Sequence, residues 1–195
     1  RMLMRMAAQT QAARALVYYA ASQVDLASLV DDGARDRLEI LTPLAKAHAT
    51  DLGNEIASLG VQVHGGMGYV EETGAAQFFR DARITPIYEG TNGIQAADLV
   101  GRKLALSKGE AFAALISDLR ATARAMPLRQ LIDHCDDIGR RLAVAGADDR
   151  LAASYPFLTM LSVAVCGWLM EQQQKSAGND HYGLAKKATA TFYLN

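Results

Sequence analysis

The chain has 195 residues, 50% of them hydrophobic and 21% charged, enough for one globular domain or two small helical ones with a real core. With 20 basic against 21 acidic residues the formal charge is −1, so no positive field exists to hold a polyanion and nucleic acid is not an expected partner. Cys135 and Cys166 stand in apolar helical patterns without ligand-like spacing, which predicts buried free thiols, no metal site and a reducing, cytoplasmic setting.

The N-terminal stretch "RMLMRMAAQTQAARALVYYA" enters directly into helical pattern without a signal peptide or a cap, and reads as part of a longer chain. Met2, Met6, Gln9, Ala13, Leu16, Ala20 and Val24 recur at steps of three or four, predicting one buried face that stops at Asp31-Asp32-Gly33. From Pro43, taken as a first-turn residue, Leu44, His48, Leu52, Ile56, Leu59 and Val63 form a second stripe that ends at Gly65, Gly66 and Gly68. A short helical piece, "TGAAQFFRDARI", follows and is ended by Pro86. Thr91 is a good N-cap for the next helix, with Ile94, Ala97, Gly101 and Leu104 on one side. "SKGE" at 107–110 reads as a linker.

Beyond it, Phe112, Leu115, Leu119 and Met126 mark one helix, and Leu128, Leu131, Cys135, Ile138, Leu142 and Ala145 mark the next. "GADD" separates that helix from an apolar one, "PFLTMLSVAVCGWLM", which starts at Pro156. This run is too short for a bilayer and carries Thr159 and Ser162, so it is read as a core helix and no membrane span is expected. "SAGND" precedes a final helix. No alternating strand pattern of convincing length appears. The expected fold is all-α, an antiparallel four-helix-type bundle over residues 1–106 followed by a helical extension over 107–195.

Two loops interrupt strong helices. "QVHGGMGYV", 62–70, offers glycine backbone that can approach a ligand closely. The spacing and the preceding helix exclude a P-loop or a dinucleotide-binding turn, and a helix C-cap explains such glycines on its own. "TPIYEGTNGIQAAD", 85–98, sets Glu89 two residues before an N-cap. There a carboxylate either meets the helix dipole, a contribution of about 0.3–1 kcal/mol, or serves as a base. His48 and His134 read as core or boundary residues, His181 as solvent-facing, and Arg35, Asp36 and Arg37 as an exposed charged face.

Residues 57–104 closely resemble the C-terminal helical domain of acyl-CoA dehydrogenases, flavoenzymes that make α,β-unsaturated acyl-CoA thioesters. "QVHGGMGY", "FFRDARI" and "IYEGTNGIQ" stand in the family's order and spacing, and "MAAQTQAARALVYYAA" at 6–21 resembles the helix before them. The resemblance implies that Glu89 is the catalytic base and that Tyr88 and Gly90 flank the substrate thioester. It also implies that Gln62, Gly65 and Gly66 contact the FAD of a neighbouring subunit while Thr91 lies by the FAD of its own. Arg80 and Asp81 read as a structural ion pair or network. Gly93 departs from several relatives, which carry Gln there. Implied partners are an acyl-CoA substrate, an electron-transfer flavoprotein or similar acceptor, and a second copy in a homodimer or homotetramer. The alternatives are an acyl-CoA oxidase and, for these residues alone, a non-catalytic helical oligomerisation domain.

Overall fold

The computed structural model describes residues 1–29 and 31–195. Among the described residues the regular structure is helical and no strand occurs. The helices are α1 (Met2–Ser28), α2 (Asp32–Val63), α3 (Gly66–Tyr69), α4 (Ala75–Ala82), α5 (Asn92–Gly101), α6 (Glu110–Thr122), α7 (Met126–Val144), α8 (Ala147–Ser176) and α9 (His181–Leu194). A short 3₁₀ turn covers Glu71–Thr73, and Lys103–Gly109 is a kinked connection in which Leu106, Ser107 and Lys108 leave helical geometry.

α1 and α2 form an antiparallel hairpin. Tyr19 meets Arg37 at 2.7 Å and Gln9 meets Glu55 at 3.4 Å, so one partner number rises as the other falls. Asp31 caps α2 by accepting from the Ala34 N–H at 3.0 Å, which satisfies an otherwise orphaned donor. The helix therefore starts at Asp32, well before the Pro43 reading, and Pro43 sits buried inside it. Pro156 likewise lies within α8 rather than at its start. An interior proline removes one backbone bond and costs about 3 kcal/mol, yet both helices persist because long apolar faces pack on either side of it.

The buried face of α1 is Ala8, Ala12, Leu16, Ala20 and Gln23, which shares only Leu16 and Ala20 with the predicted stripe. Val24 and Met2 are exposed. Small residues form the seam because α8 approaches closely: the Cys166 thiol lies 3.7 Å from the Ala12 carbonyl. In α2, Leu44, His48 and Leu52 are buried as expected. Burial lowers the affinity of His48 for a proton, against the smaller opposing pull of Asp51 and Glu55. Met126 opens α7 instead of closing α6, and His134 is exposed rather than a core or boundary residue. Arg37 is no free surface charge either: its guanidinium reaches Tyr19 and, at 2.7 Å, Asp118 of α6. His181 is exposed, as read.

One hydrophobic core runs through both halves of the chain, joining Leu16, Ile40, Leu44 and Leu99 to Leu115, Leu119, Leu158 and Leu161. α8 is its spine, packing against α1, α5, α7 and α9. Among the described residues α8 is the one helix long and apolar enough to cross a membrane by length and composition. Its Leu158, Leu161, Ala164, Val165, Cys166 and Met170 are instead wholly covered by the other helices. Glu171, also buried, accepts from the N–H groups of Arg124 and Ala125 at 3.0 and 2.7 Å, closing the turn between α6 and α7 and greeting the positive end of α7.

Two predictions arise from this packing. A Cβ on Gly139 would lie 2.5 Å from the Phe112 ring and 3.2 Å from that of Phe157. Gly139→Val should therefore destabilise the protein by about 2–3 kcal/mol through overpacking, read as a shift in the urea midpoint at constant slope. Cys135 and Cys166 are free and buried, and burial pushes both thiols up to about 12. Alkylation followed by peptide mapping should leave both untouched in the native state and label both after unfolding; rapid native labelling would contradict this burial.

Candidate functional site

The Glu89 loop is fixed at both ends to α2 by asparagines. At its entrance the Asn54 Nδ2 donates to the Ala82 carbonyl at 2.9 Å and to the Thr50 carbonyl at 2.8 Å, which ties the end of α4 to α2. The Ile87 and Tyr88 N–H groups then both donate to the Ile84 carbonyl, at 2.9 and 3.2 Å. At the exit, the Asn92 N–H donates to the Pro86 carbonyl at 3.1 Å and closes the loop. Thr91 caps α5 as its sequence position predicts, accepting from the Ile94 N–H at 3.3 Å.

Asn92 is 4% exposed, and each edge of its amide has a partner. Its Oδ1 accepts from the Lys46 Nζ at 2.9 Å. The two Nδ2 hydrogens are shared among three acceptors within reach, the Ala47 carbonyl at 3.1 Å, Thr50 Oγ1 at 2.9 Å and Asp51 Oδ1 at 2.9 Å. An ammonium on one side and acceptors on the other fix which way the amide faces. Asp51 uses its second oxygen to accept from the Tyr155 hydroxyl of α8 at 2.6 Å.

Between these anchors Glu89 adopts φ 54° and Gly90 φ 84°. Gly90 takes the left-handed region freely, but for Glu89 the conformation costs about 1–3 kcal/mol and persists only where surroundings impose it. The result turns the carboxylate outward: Tyr88, Glu89 and Thr91 are all exposed and Gly90 is half-buried. Among the described residues none accepts a hydrogen bond from the Glu89 N–H. A carboxylate and an unused amide thus leave the loop at one residue, the combination needed to take a proton from a carbon while a donor holds the adjacent carbonyl oxygen.

The glycine loop lies elsewhere on α2. Gln62 is exposed in the last turn and its carbonyl accepts from the Gly65 N–H at 3.1 Å. Gly65 has φ 62° and ψ −145°, a region held almost only by glycine. A Cβ on Gly68 would come within 2.3 Å of the Val61 carbonyl oxygen, so that glycine serves packing. Gly66 is different: its φ is not positive and nothing lies within 4 Å of an added Cβ. The fold leaves its backbone open. A cavity of about 630 Å³ adjoins this loop, with Val61, Tyr69, Val70 and Phe79 among its walls, and it does not reach Glu89. The loops are tied to different stretches of α2, since Asn54, which anchors the Glu89 loop's entrance, lies about 12 Å from Gln62 along the helix at roughly 1.5 Å per residue.

Arg80 pairs with Glu71 at 2.8 Å rather than with Asp81, and both side chains are exposed. Large apolar side chains also stand open around both loops, notably Met67, Tyr69, Phe78, Ile84, Ile87 and Ile94. On α5, Ala96, Leu99 and Val100 face the core while Ile94 and Gly101 face outward, so of the predicted stripe only Leu104 is buried.

A family model for the acyl-CoA dehydrogenase C-terminal domain matches residues 1–105. The chain belongs to the acyl-CoA dehydrogenase family. Over 99% of its length it is similar to a 3-methylmercaptopropionyl-CoA dehydrogenase from Ruegeria pomeroyi, at 41% identity across 37% of that protein. In structure it is similar to Caenorhabditis elegans ACDH-11, solved in complex with C11-CoA, with a TM-score of 0.78 at 21% identity over 99% of this chain and 35% of that one. It is also similar to an acyl-CoA dehydrogenase from Bacillus anthracis complexed with FAD, with a TM-score of 0.72 at 22% identity over 99% of this chain and 38% of that one. The chain thus spans little more than a third of these relatives. The two structural likenesses extend the all-α architecture of the acyl-CoA dehydrogenase C-terminal region across α6–α9.

Glu89, Thr91 and the glycines stand out in the sequence, whereas Asn54, Asp51, Asn92 and Tyr155, which hydrogen-bond at or behind the ends of the Glu89 loop, do not. A signal existed in Thr50, Asp51 and Asn54, three polar residues clustered on a helix otherwise striped with Leu and Ile.

Proposed function

We propose that this chain is the base-bearing and cofactor-contacting part of an FAD-dependent acyl-CoA dehydrogenase. The observation that carries the reading is Glu89, held left-handed between two anchors, exposed, and with an N–H that no described residue accepts. In this reading the carboxylate takes the α-proton of an acyl-CoA thioester, and the Glu89 N–H donates to the thioester carbonyl as negative charge builds there. A thioester α-proton is too weakly acidic for an unassisted carboxylate at neutral pH, so that donor is part of the chemistry. An acyl chain lying over the exposed apolar side chains of the loop displaces water from around Glu89 and the thioester. Tyr88 and Gly90 flank the thioester.

FAD supplies the acceptor for the β-hydride when bound. The residues present fit it: the open backbone of Gly66, beside Gly65 and Gln62, offers polar groups with no side chain in the way, and Thr91 holds its hydroxyl at the start of α5. The separation of the two loops along α2 supports a division in which Gln62, Gly65 and Gly66 serve the flavin of a neighbouring subunit and Thr91 the flavin beside Glu89. We further propose a homodimer or homotetramer, an electron-transfer flavoprotein as acceptor, a cytoplasmic setting, and a boundary at 106/107 between the C-terminal domain and its extension. The exposed apolar residues around both loops support the assembly. A strictly monomeric full-length protein by light scattering at high concentration would remove that element.

The activity is tested with the full-length protein carrying this chain. Acyl-CoA should bleach the flavin and drive reduction of an electron acceptor without peroxide release. Stoichiometric peroxide would indicate an oxidase, and an inert flavin under a range of acyl chains would overturn the reading.

A further inference from the structure

We infer that Tyr155 is a positioning residue for Glu89, acting from the second half of the chain through Asp51 and Asn92. The inference rests on the reading of Glu89 as the base, and adds to it a specific task for the extension.

Three hydrogen bonds connect the groups without a gap. The Tyr155 hydroxyl donates to one oxygen of Asp51 at 2.6 Å, the other oxygen accepts from Asn92 Nδ2 at 2.9 Å, and the Asn92 N–H closes on the Pro86 carbonyl at 3.1 Å. Asn92 lies three positions after Glu89, and 104 residues separate Tyr155 from Asp51. α5, which begins at Asn92, packs directly on α8, so the phenol comes from the helix that supports the loop's exit.

The geometry explains why such a brace is useful. A left-handed Glu89 returns to ordinary backbone geometry unless the loop ends are fixed. The entrance is fixed by Asn54, within the first half of the chain. At the exit, one of the bonds that orient Asn92 depends on the rotamer of Asp51, because a carboxylate turned away to water cannot accept from Asn92. Tyr155 holds that rotamer by occupying the second oxygen. Burial and the Asp51 carboxylate push the phenol up to about 12, so it remains a donor throughout the neutral range. A purely structural tyrosine on α8 would need ring packing but no hydroxyl partner on α2.

The test uses the full-length holoenzyme with three variants: Tyr155→Phe, Asp51→Asn and Glu89→Gln. Tyr155→Phe keeps the ring and removes the donor. The expected result is a roughly three- to tenfold fall in kcat, the size set by one hydrogen bond, with KM for acyl-CoA within about twofold. The kinetic isotope effect with α-deuterated substrate should rise, because proton abstraction becomes more rate-limiting. Asp51→Asn, which has one oxygen for two donors, should show the same selective loss and decides the matter if Tyr155→Phe does not fold. Folded Tyr155→Phe or Asp51→Asn with unchanged kcat and isotope effect overturns the inference, even if thermal stability drops. Glu89→Gln separates the two readings: if it is inactive while Tyr155→Phe is unaffected, the base stands and the brace falls. If Glu89→Gln turns over normally, both fall.

Discussion

Replacing Glu89 by Gln in the full-length protein should lower turnover by about 10²–10⁴-fold, the range contributed by a positioned general base, while acyl-CoA still binds. The amide has the shape of the carboxylate and can occupy the same left-handed backbone, so neither the loop nor the unused Glu89 N–H is disturbed; only the proton acceptor is lost. Binding is read from the change in flavin absorbance on adding acyl-CoA, and turnover from acceptor reduction. Glu89→Asp should retain some activity but fall by about 10²-fold, because the carboxylate withdraws by the length of a methylene and misplacement of about 1 Å has that effect. Glu89→Gly gives a separate readout. It relieves a φ of 54°, and that gain of about 1–3 kcal/mol outweighs or balances the roughly 0.5–1 kcal/mol of extra chain entropy that glycine loses on folding. The variant should be inactive yet at least as stable as the parent, the pattern of a residue kept for chemistry at a cost in stability. Turnover at the parent rate in Glu89→Gln would leave the carboxylate with no role beyond the dipole of α5.

What could be read from the sequence was whatever is decided within a turn or two of helix. Thr91 was legible as a cap because the hydroxyl and the N–H it serves are three residues apart, whereas Asp31 reads only as the break after α1 although its carboxylate caps the start of α2. The helix starts placed at Pro43 and Pro156 failed because a local rule met tertiary packing. Pro43 is itself buried among Ile40, Leu41 and Leu44, and the burial of that cluster outweighs one missing backbone bond. The face of α1 failed for a different reason: hydrophobicity weights Met2 and Val24, whereas close approach of α8 selects Ala8 and Ala12, whose value is their small size. The same division holds at the site. Glu89 announces itself between an apolar pair and a cap. Asp51, Asn92 and Tyr155 lie on three different helices, and nothing short-range in the sequence relates a tyrosine to an aspartate 104 positions away. The outward apolar residues around the loops, Phe78 and Tyr69 among them, gave no signal of their exposure either, because an exposed apolar residue has the same local sequence pattern as one in the core.

Asn92→Ala should destabilise the full-length protein by about 2–3 kcal/mol, the cost of leaving buried partners of a lost amide unsatisfied. Its amide meets four groups, Lys46, Ala47, Thr50 and Asp51, but their losses are unequal. Lys46 and Asp51 are half-buried and can turn to water, whereas the Ala47 carbonyl is left facing the space vacated by the side chain. A water molecule entering that space would recover part of the loss and keep the effect below the sum of the bonds. Asn92→Asp distinguishes hydrogen bonding from volume, since it preserves size but converts the Nδ2 donor edge into an acceptor facing the Ala47 carbonyl and Asp51 Oδ1. Alternatively the new carboxylate pairs with Lys46 and turns away from Asp51. In either arrangement the donors to Ala47 and Asp51 are gone, so Asn92→Asp should be at least as unstable as Asn92→Ala at neutral pH and should recover relative to it in acid, where protonation restores a donor and removes the repulsion. Urea midpoints measured at neutral and acidic pH decide between the two. Equal stability of Asn92→Asp and the parent at neutral pH would mean that the amide donors contribute nothing, and that the exit of the Glu89 loop is held by the backbone bond to Pro86 and the apolar contacts of α5 alone.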